Sequence, residues 1–288
     1  MAWTHYKLKF RLLSPIHIGY RKVGNLMQTR QYVPGKNLWA ALTARLTRDF
    51  PDIEWNNGYK EVGKRVETQF RFGYLWPSLD GNEPCYSWDC EDFDYLFLDS
   101  YASTALDYSS HSAEEGSLHE TEFIVPVARN GKPVYLLGDL WVNEEVEDKI
   151  DDESWKGSME NLQLGGERSY GWGRLALSPD CTGNNSGNGI TAAGHRWQEE
   201  GGENVITLNR GEKITAHALA SSEAGDRDPT NDIEGPVEPM VGREWGAFAG
   251  QKVCYSGVYF MPGGKIRNAN DQAQFIIDPF GRWISYRD

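Results

Sequence analysis

The chain has 288 residues, 39% of them apolar and 25% charged, which suits a globular protein of about two domains and is too aromatic for disorder. Its apolar runs fall short of the roughly 20 residues a membrane helix needs. The start shows no signal peptide, and four cysteines make no disulfide framework, so the expectation is a cytoplasmic protein with reduced thiols and no membrane contact. The net charge of −13 hides an asymmetry. The first 48 residues carry nine Lys/Arg and no acid, whereas residues 76–288 carry 16 Lys/Arg against 37 Asp/Glu. Such a split points either to a polyanion-binding region with an acidic remainder or to a chance run on a solvated face.

Residues 5–13 alternate, with Tyr6, Leu8, Phe10 and Leu12 on one side and Lys7, Lys9 and Arg11 on the other, which predicts a half-buried strand. Ser14-Pro15 ends it, and residues 19–31 read as a glycine-bearing loop with Arg21, Lys22 and Arg30. Leu38, Leu42, Leu46 and Phe50 recur every four residues and predict a helix over 36–50, with Arg45 and Arg48 complementing the dipole of its last turns. Residues 60–75 read as a strand region, followed by an irregular insertion over 77–117. Alternation on either side of Asn130-Gly131 predicts a hairpin of 121–127 with 133–142. Asn143, followed by Glu144-Glu145, reads as the cap of a second helix. That order approximates an α+β, ferredoxin-like (RRM-like) βαββαβ unit over residues 1–178 with one insertion. Residues 179–202, rich in Gly, Asn and Thr, read as a linker or long loop, and 203–288 as a smaller β-rich C-terminal domain.

The sharpest local signal is Gly165-Gly166-Glu167-Arg168-Ser169-Tyr170-Gly171-Trp172-Gly173-Arg174. Four glycines let backbone amides approach a phosphate chain, the arginines supply charge, and Tyr170 and Trp172 offer faces for unpaired bases. The cluster is neither a Walker loop nor a dinucleotide fingerprint, and a tight turn with a packed Trp is the competing reading. Arg21, Lys22, Arg30 and Lys36 are the basic candidates for phosphate contact in the acid-free start. His17 reads as a structural or RNA-contacting residue, because no local sequence supplies the partner a catalytic base needs. Cys85 and Cys90 with His111 and His119 lack the spacing of a zinc site, so neither metal nor cofactor is expected.

Three segments, Ser14-Pro15-Ile16-His17-Ile18-Gly19 with Thr29 to Leu38 opening a helix, Glu115 to Glu122, and the Gly165–Arg174 loop, together resemble the RAMP superfamily of CRISPR effector subunits. The stretch Gly235 to Trp245 is similar to the tail of some type III subunits. The resemblance implies RNA-recognition-like domains that hold a guide RNA (crRNA) within a type III effector complex. Its partners would be the backbone and large subunits, with target RNA nearby. Subunits of the family that cut target RNA carry an acid in the loop after the first strand; residues 20–31 here carry none. The resemblance therefore implies a non-catalytic subunit gripping the 5′ tag of the crRNA. The alternatives are a non-cleaving backbone subunit, or a metal-independent endoribonuclease with His17 as base. From another class, a β-rich ligand-binding domain suits the tryptophan count but not the acid-free start.

Overall fold

The alternation at the start of the chain dictates the centre of the molecule. In the computed structural model, which describes residues 2–50, 58–181, 183–221, 233–244, 251–267 and 272–286, strand β1 (Trp3–Leu12) buries Tyr6, Leu8, Phe10 and Leu12 and exposes Lys7 and Arg11. The chain continues through β2 (Gly19–Val23), β3 (Leu26–Thr29), α1 (Gly35–Asp49), α2 (Tyr59–Gln69), β4 (Phe70–Phe72) and β5 (Trp76–Ser78). It then forms β6 (Leu98–Ser103), β7 (His119–Ile124), β8 (Tyr135–Asn143), α3 (Asp152–Met159), β9 (Asn161–Gln163) and β10 (Arg174–Leu177). The first sheet runs β9–β10–β1–β8–β4, every neighbouring pair antiparallel. Leu38, Leu42 and Leu46, one turn apart on α1, are fully buried in its core.

Several expectations are corrected here. Residues 59–69 form a helix, not a strand: Val62 and Val66, four residues apart, are fully buried, and the Trp39 ring of α1 lies over Gly63. β-branched valines favour a strand locally, and packing against α1 overrides that preference. The loop read over 19–31 is the β2–β3 hairpin. The Asn130-Gly131 turn exists, yet its arms part after the Val127–Pro133 bridge. β8 enters the first sheet, whereas β7 joins a small sheet ordered β2–β3–β7–β6. The difference lies in burial: β8 is buried on both faces from Leu136 to Val142, and β7 only at Thr121 and Ile124. Asn143 closes a local turn by accepting from the Glu145 amide, and the second helix starts at Asp152, capped by Asp151, which accepts from the Ser154 amide at 2.8 Å. Trp155 drives that later start, since it is fully buried edge-on against Tyr6 and Phe70.

The C-terminal part holds β11 (Asn188–Ile190), β12 (Arg196–Glu200), β13 (Glu203–Asn209), β14 (Ala218–Ser221), β15 (Val237–Glu244), β16 (Lys252–Phe260), β17 (Gln272–Ile277) and β18 (Trp283–Ser285). They make one sheet, β11–β12–β13–β17–β18–β14–β16–β15. The stretch 179–202 is therefore not a linker. Its glycines and asparagines turn the chain between strands, and residues 183–184 pair with β1. The two sheets share an aromatic layer in which Trp3, Tyr32, Tyr74, Trp76 and Trp141 meet Trp197, Phe275 and Trp283. Within it His5 stacks on Trp141 with ring centres 5.0 Å apart. Burying each such side chain stabilises by about 1.5–3 kcal/mol, which holds the two parts against each other.

Gly35, at the start of α1, is wedged between them: a Cβ there would lie 2.4 Å from the Phe72 carbonyl oxygen and 2.6 Å from that of Phe280. Gly157 in α3 faces open space. In denaturant unfolding, Gly35→Ala is expected to destabilise by about 1–3 kcal/mol through backbone displacement. Gly157→Ala is expected to stabilise by about 0.5–1 kcal/mol, the ordinary gain of alanine within a helix.

Candidate nucleic-acid interface

The glycine cluster is the hairpin loop between β9 and β10, and it is clamped to the end of β1. The Gly166 amide donates to the His17 carbonyl at 2.9 Å, the Gly173 amide to that of Pro15 at 2.7 Å, and the Arg174 amide to the Ser14 hydroxyl at 2.9 Å. At Gly165 and Gly173 φ is +81° and +77°, and a Cβ would meet the His17 and Leu164 carbonyl oxygens at 2.4 and 1.8 Å. These two glycines serve close packing of backbone on backbone. Gly171, also at positive φ, has free space around it and is exposed. Beside it Arg168, Ser169 and Tyr170 form one exposed 3-10 turn, with Tyr170 80% exposed. Trp172 is half-buried, and its ring packs edge-on against Phe123 at 4.9 Å, which anchors the loop to β7.

His17 is buried, and its Nδ1 donates to the Glu122 carbonyl at 2.7 Å. The Glu122 carboxylate accepts from the Thr29 amide at 2.9 Å, and Ile16 bridges to Ile124. Residues far apart in sequence, 14–18, Thr29, Glu122 and the 165–174 loop, thus meet at one spot.

Next to this spot lies a groove of about 360 Å³ between α1 and the β9–β10 hairpin. Arg45, Arg48, Arg168 and Arg174 line it with Asn161 and Gln163, and among the described residues no carboxylate lines it. Arg45 is partly neutralised by Asp49, at 2.5 Å, whereas Arg48, Arg168 and Arg174 are exposed. Arg45 and Arg48 were accounted for in the sequence only as dipole complements. Their spacing from Leu38, Leu42 and Leu46, which sets them on another side of the same helix, is the signal that marks them as groove residues. The basic β2–β3 hairpin lies apart, with Arg21 and Lys22 exposed and the Arg21 Nε donating to Gln28 at 2.6 Å.

Two basic candidates are corrected. Arg30 donates to Glu238 at 2.7 Å and to the Tyr32 hydroxyl at 3.0 Å, so its charge is matched inside the protein. The Lys36 ammonium sits 5.6 Å over the Phe280 ring, close beneath Gly242 of β15. Both pack against the C-terminal sheet, Arg30 with its charge paired and Lys36 half-buried. Cys85 and Cys90 are free thiols, and no group of three or more metal-ligating side chains occurs among the described residues.

Arg30 belongs to a buried polar chain across the two sheets. His217, fully buried, donates from Nε2 to Glu238 at 2.6 Å and accepts at Nδ1 from the Tyr74 hydroxyl at 2.7 Å. Burial pushes the Glu238 carboxyl up, but the hydrogen bonds from His217 and Arg30 outweigh it and hold it down at about 2. Burial likewise lowers His217 and raises Tyr74, which keeps both rings neutral and fixes the direction of each hydrogen bond. Glu238 stands in the stretch 235–245 noted for its resemblance; Trp245 lies outside the described residues.

No family model and no curated protein matches the chain. Among solved structures, it is similar to a chain of a Type III-B Cmr-beta assembly bound to cognate target RNA and AMPPnP, with TM-score 0.53 and 12% identity over 90% of this chain and 85% of that one. A chain of Type III-B Cmr-beta bound to cognate target RNA aligns with TM-score 0.52 and 13% identity, covering 91% and 86%. At such identity the likeness is one of fold.

Two outcomes follow for this region. Glu238→Gln is expected to unfold more readily than the parent at neutral pH, since a carboxyl held low in the folded state stabilises above its ordinary value near 4.5. The gap in unfolding midpoint should close as pH falls from about 4.5 towards about 2. Gly173→Ala should melt several degrees lower than Gly171→Ala, because only the former collides with backbone. Thermal unfolding of the pair measures this directly.

Proposed function

We propose that the chain is a non-catalytic RNA-binding subunit of a type III CRISPR effector complex that holds the crRNA, by its 5′ tag, along the arginine groove. The observation that carries this reading is the groove itself: four guanidinium groups, no lining carboxylate among the described residues, and an exposed Tyr170 on the adjoining glycine loop. Arginine pairs with phosphates in a bidentate manner, and an exposed aromatic ring stacks unpaired bases. The family resemblance of the converging segments and the fold likeness over nine-tenths of the chain support it. The strand order supports a ferredoxin-like βαββαβ core, with the hairpin β9–β10 standing in the place of the fourth strand.

In this reading the molecule binds and does not cut. No acid stands in residues 20–31. The only hydrogen bond of the His17 side chain among the described residues goes to a backbone carbonyl, that of Glu122. Neighbouring effector subunits and target RNA would meet its other surfaces. The charge of the C-terminal part suits protein neighbours, since it need not touch RNA.

The test is a salt titration of single-stranded RNA binding by the full chain. Arg48→Ala with Arg168→Ala should weaken binding and lower the log–log salt slope by about 0.7 per lost phosphate contact. Arg30→Ala should reduce stability more than affinity. Unchanged affinity and slope in the groove variant would remove the groove from RNA binding, and metal-dependent cleavage by the purified chain would overturn the non-catalytic reading.

A further inference from the structure

The first sheet carries a second row of cations outside the groove. On the face of β1 opposite the helices, Trp3 and His5 are buried under the C-terminal sheet, but the row continues as Lys7, Lys9 and Arg11. Lys7 and Arg11 are exposed, and no ion pair engages either among the described residues. Lys9 is half-buried, its ammonium 5.0 Å above the Tyr135 ring and packed against Gly81, which leaves the charge in place while fixing the side chain between the two flanking cations. Asp139 stands opposite Lys7 in the β1–β8 register, yet it is buried and turned to His5 and the Ala192 amide, at 2.8 Å each.

Alternate residues of a strand lie about 6.7 Å apart on one face, a repeat comparable with that of successive phosphates in an extended single strand. The row also connects to the groove. Ala176 pairs with Arg11, so Arg174, two residues back, lies on the face of Arg11. Arg174 and Leu13, the next same-face position after Arg11, both line the groove. The cations of β1 and the arginines of the groove therefore make one continuous track.

We propose that the open half of the sheet binds the phosphate backbone of single-stranded RNA where it runs on from the groove, with phosphates along Lys7, Lys9 and Arg11. This rests on the RNA-binding reading above and adds a second contact segment to it. A short strand fills the groove alone, and only a longer one reaches β1.

The experiment compares the full chain with its Lys7→Gln/Arg11→Gln variant, using single-stranded RNAs of about 3 and about 24 nucleotides, one shorter and one longer than the roughly 4–16 nucleotides that one small binding module covers. Fluorescence anisotropy is followed across a salt series. For the long RNA the variant is expected to lose affinity and to lower the slope by about 1.4, two contacts at about 0.7 each. The short RNA should bind as before. Equal loss for both lengths would report a general field effect and overturn the proposal, as would long RNA binding unchanged while a neighbouring protein no longer copurifies. The groove variant Arg48→Ala/Arg168→Ala separates the two claims. If it weakens both lengths while the β1 variant weakens neither, the groove stands and the second segment falls. If the parent chain binds neither RNA, both fall.

Discussion

The core of this molecule is organised around β1. The strand pairs with β8 on one side and with β10 and residues 183–184 on the other, so the first sheet takes its register from it. One face, Tyr6 to Leu12, meets the helices; the first part of the other face, Trp3 and His5, meets the C-terminal sheet. Its end, residues 14–17, supplies the carbonyls and the hydroxyl that clamp the glycine loop. A one-residue slip would exchange the apolar and cationic faces together, which explains how one strand ties core, domain contact and binding loop into a single arrangement.

The distribution of charge follows from the same constraint. The nine cations of the acid-free start diverge into distinct environments once the chain is folded. Arg30 and Lys36 are drawn inward by Glu238 and Phe280 and secure the second sheet. Arg45 and Arg48 are joined by Arg168 and Arg174, more than a hundred residues later, around one groove. Like charges brought together, with no lining carboxylate among the described residues, repel one another, a cost that an anionic ligand relieves on binding. The buried Glu238 shows the opposite arrangement, a carboxylate compensated on both sides by Arg30 and His217 and so held within the fold.

The glycine loop joins these two themes. Gly165 and Gly173 are required by contact with backbone atoms inside the protein, while Gly171 and its exposed neighbours face outward. A dense glycine cluster thus contains two kinds of glycine, those that let the loop be held and one that leaves it open. Trp172 belongs with the first kind through Phe123, and Tyr170 with the second.

The sequence by itself determined β1, α1, the glycine loop as a loop, and the β-rich character of residues 203–288. In these segments local period, turn residues and apolar content all point to one structure. It also determined the charge asymmetry, since that needs only composition. Tertiary structure decided the remainder, for reasons visible at particular residues. Residues 59–69 became a helix because Val62, Val66 and Gly63 fit against α1, which a valine-bearing stretch does not reveal. The arms beside Asn130 separated because β8 is buried on both faces and β7 is not. Arg45 and Arg48 joined the site, and Arg30 and Lys36 left it, because a cation's role depends on which carboxylate, ring or second cation the fold brings within a few ångströms. Periodicity reports which face a side chain is on; only the folded chain reports what that face meets.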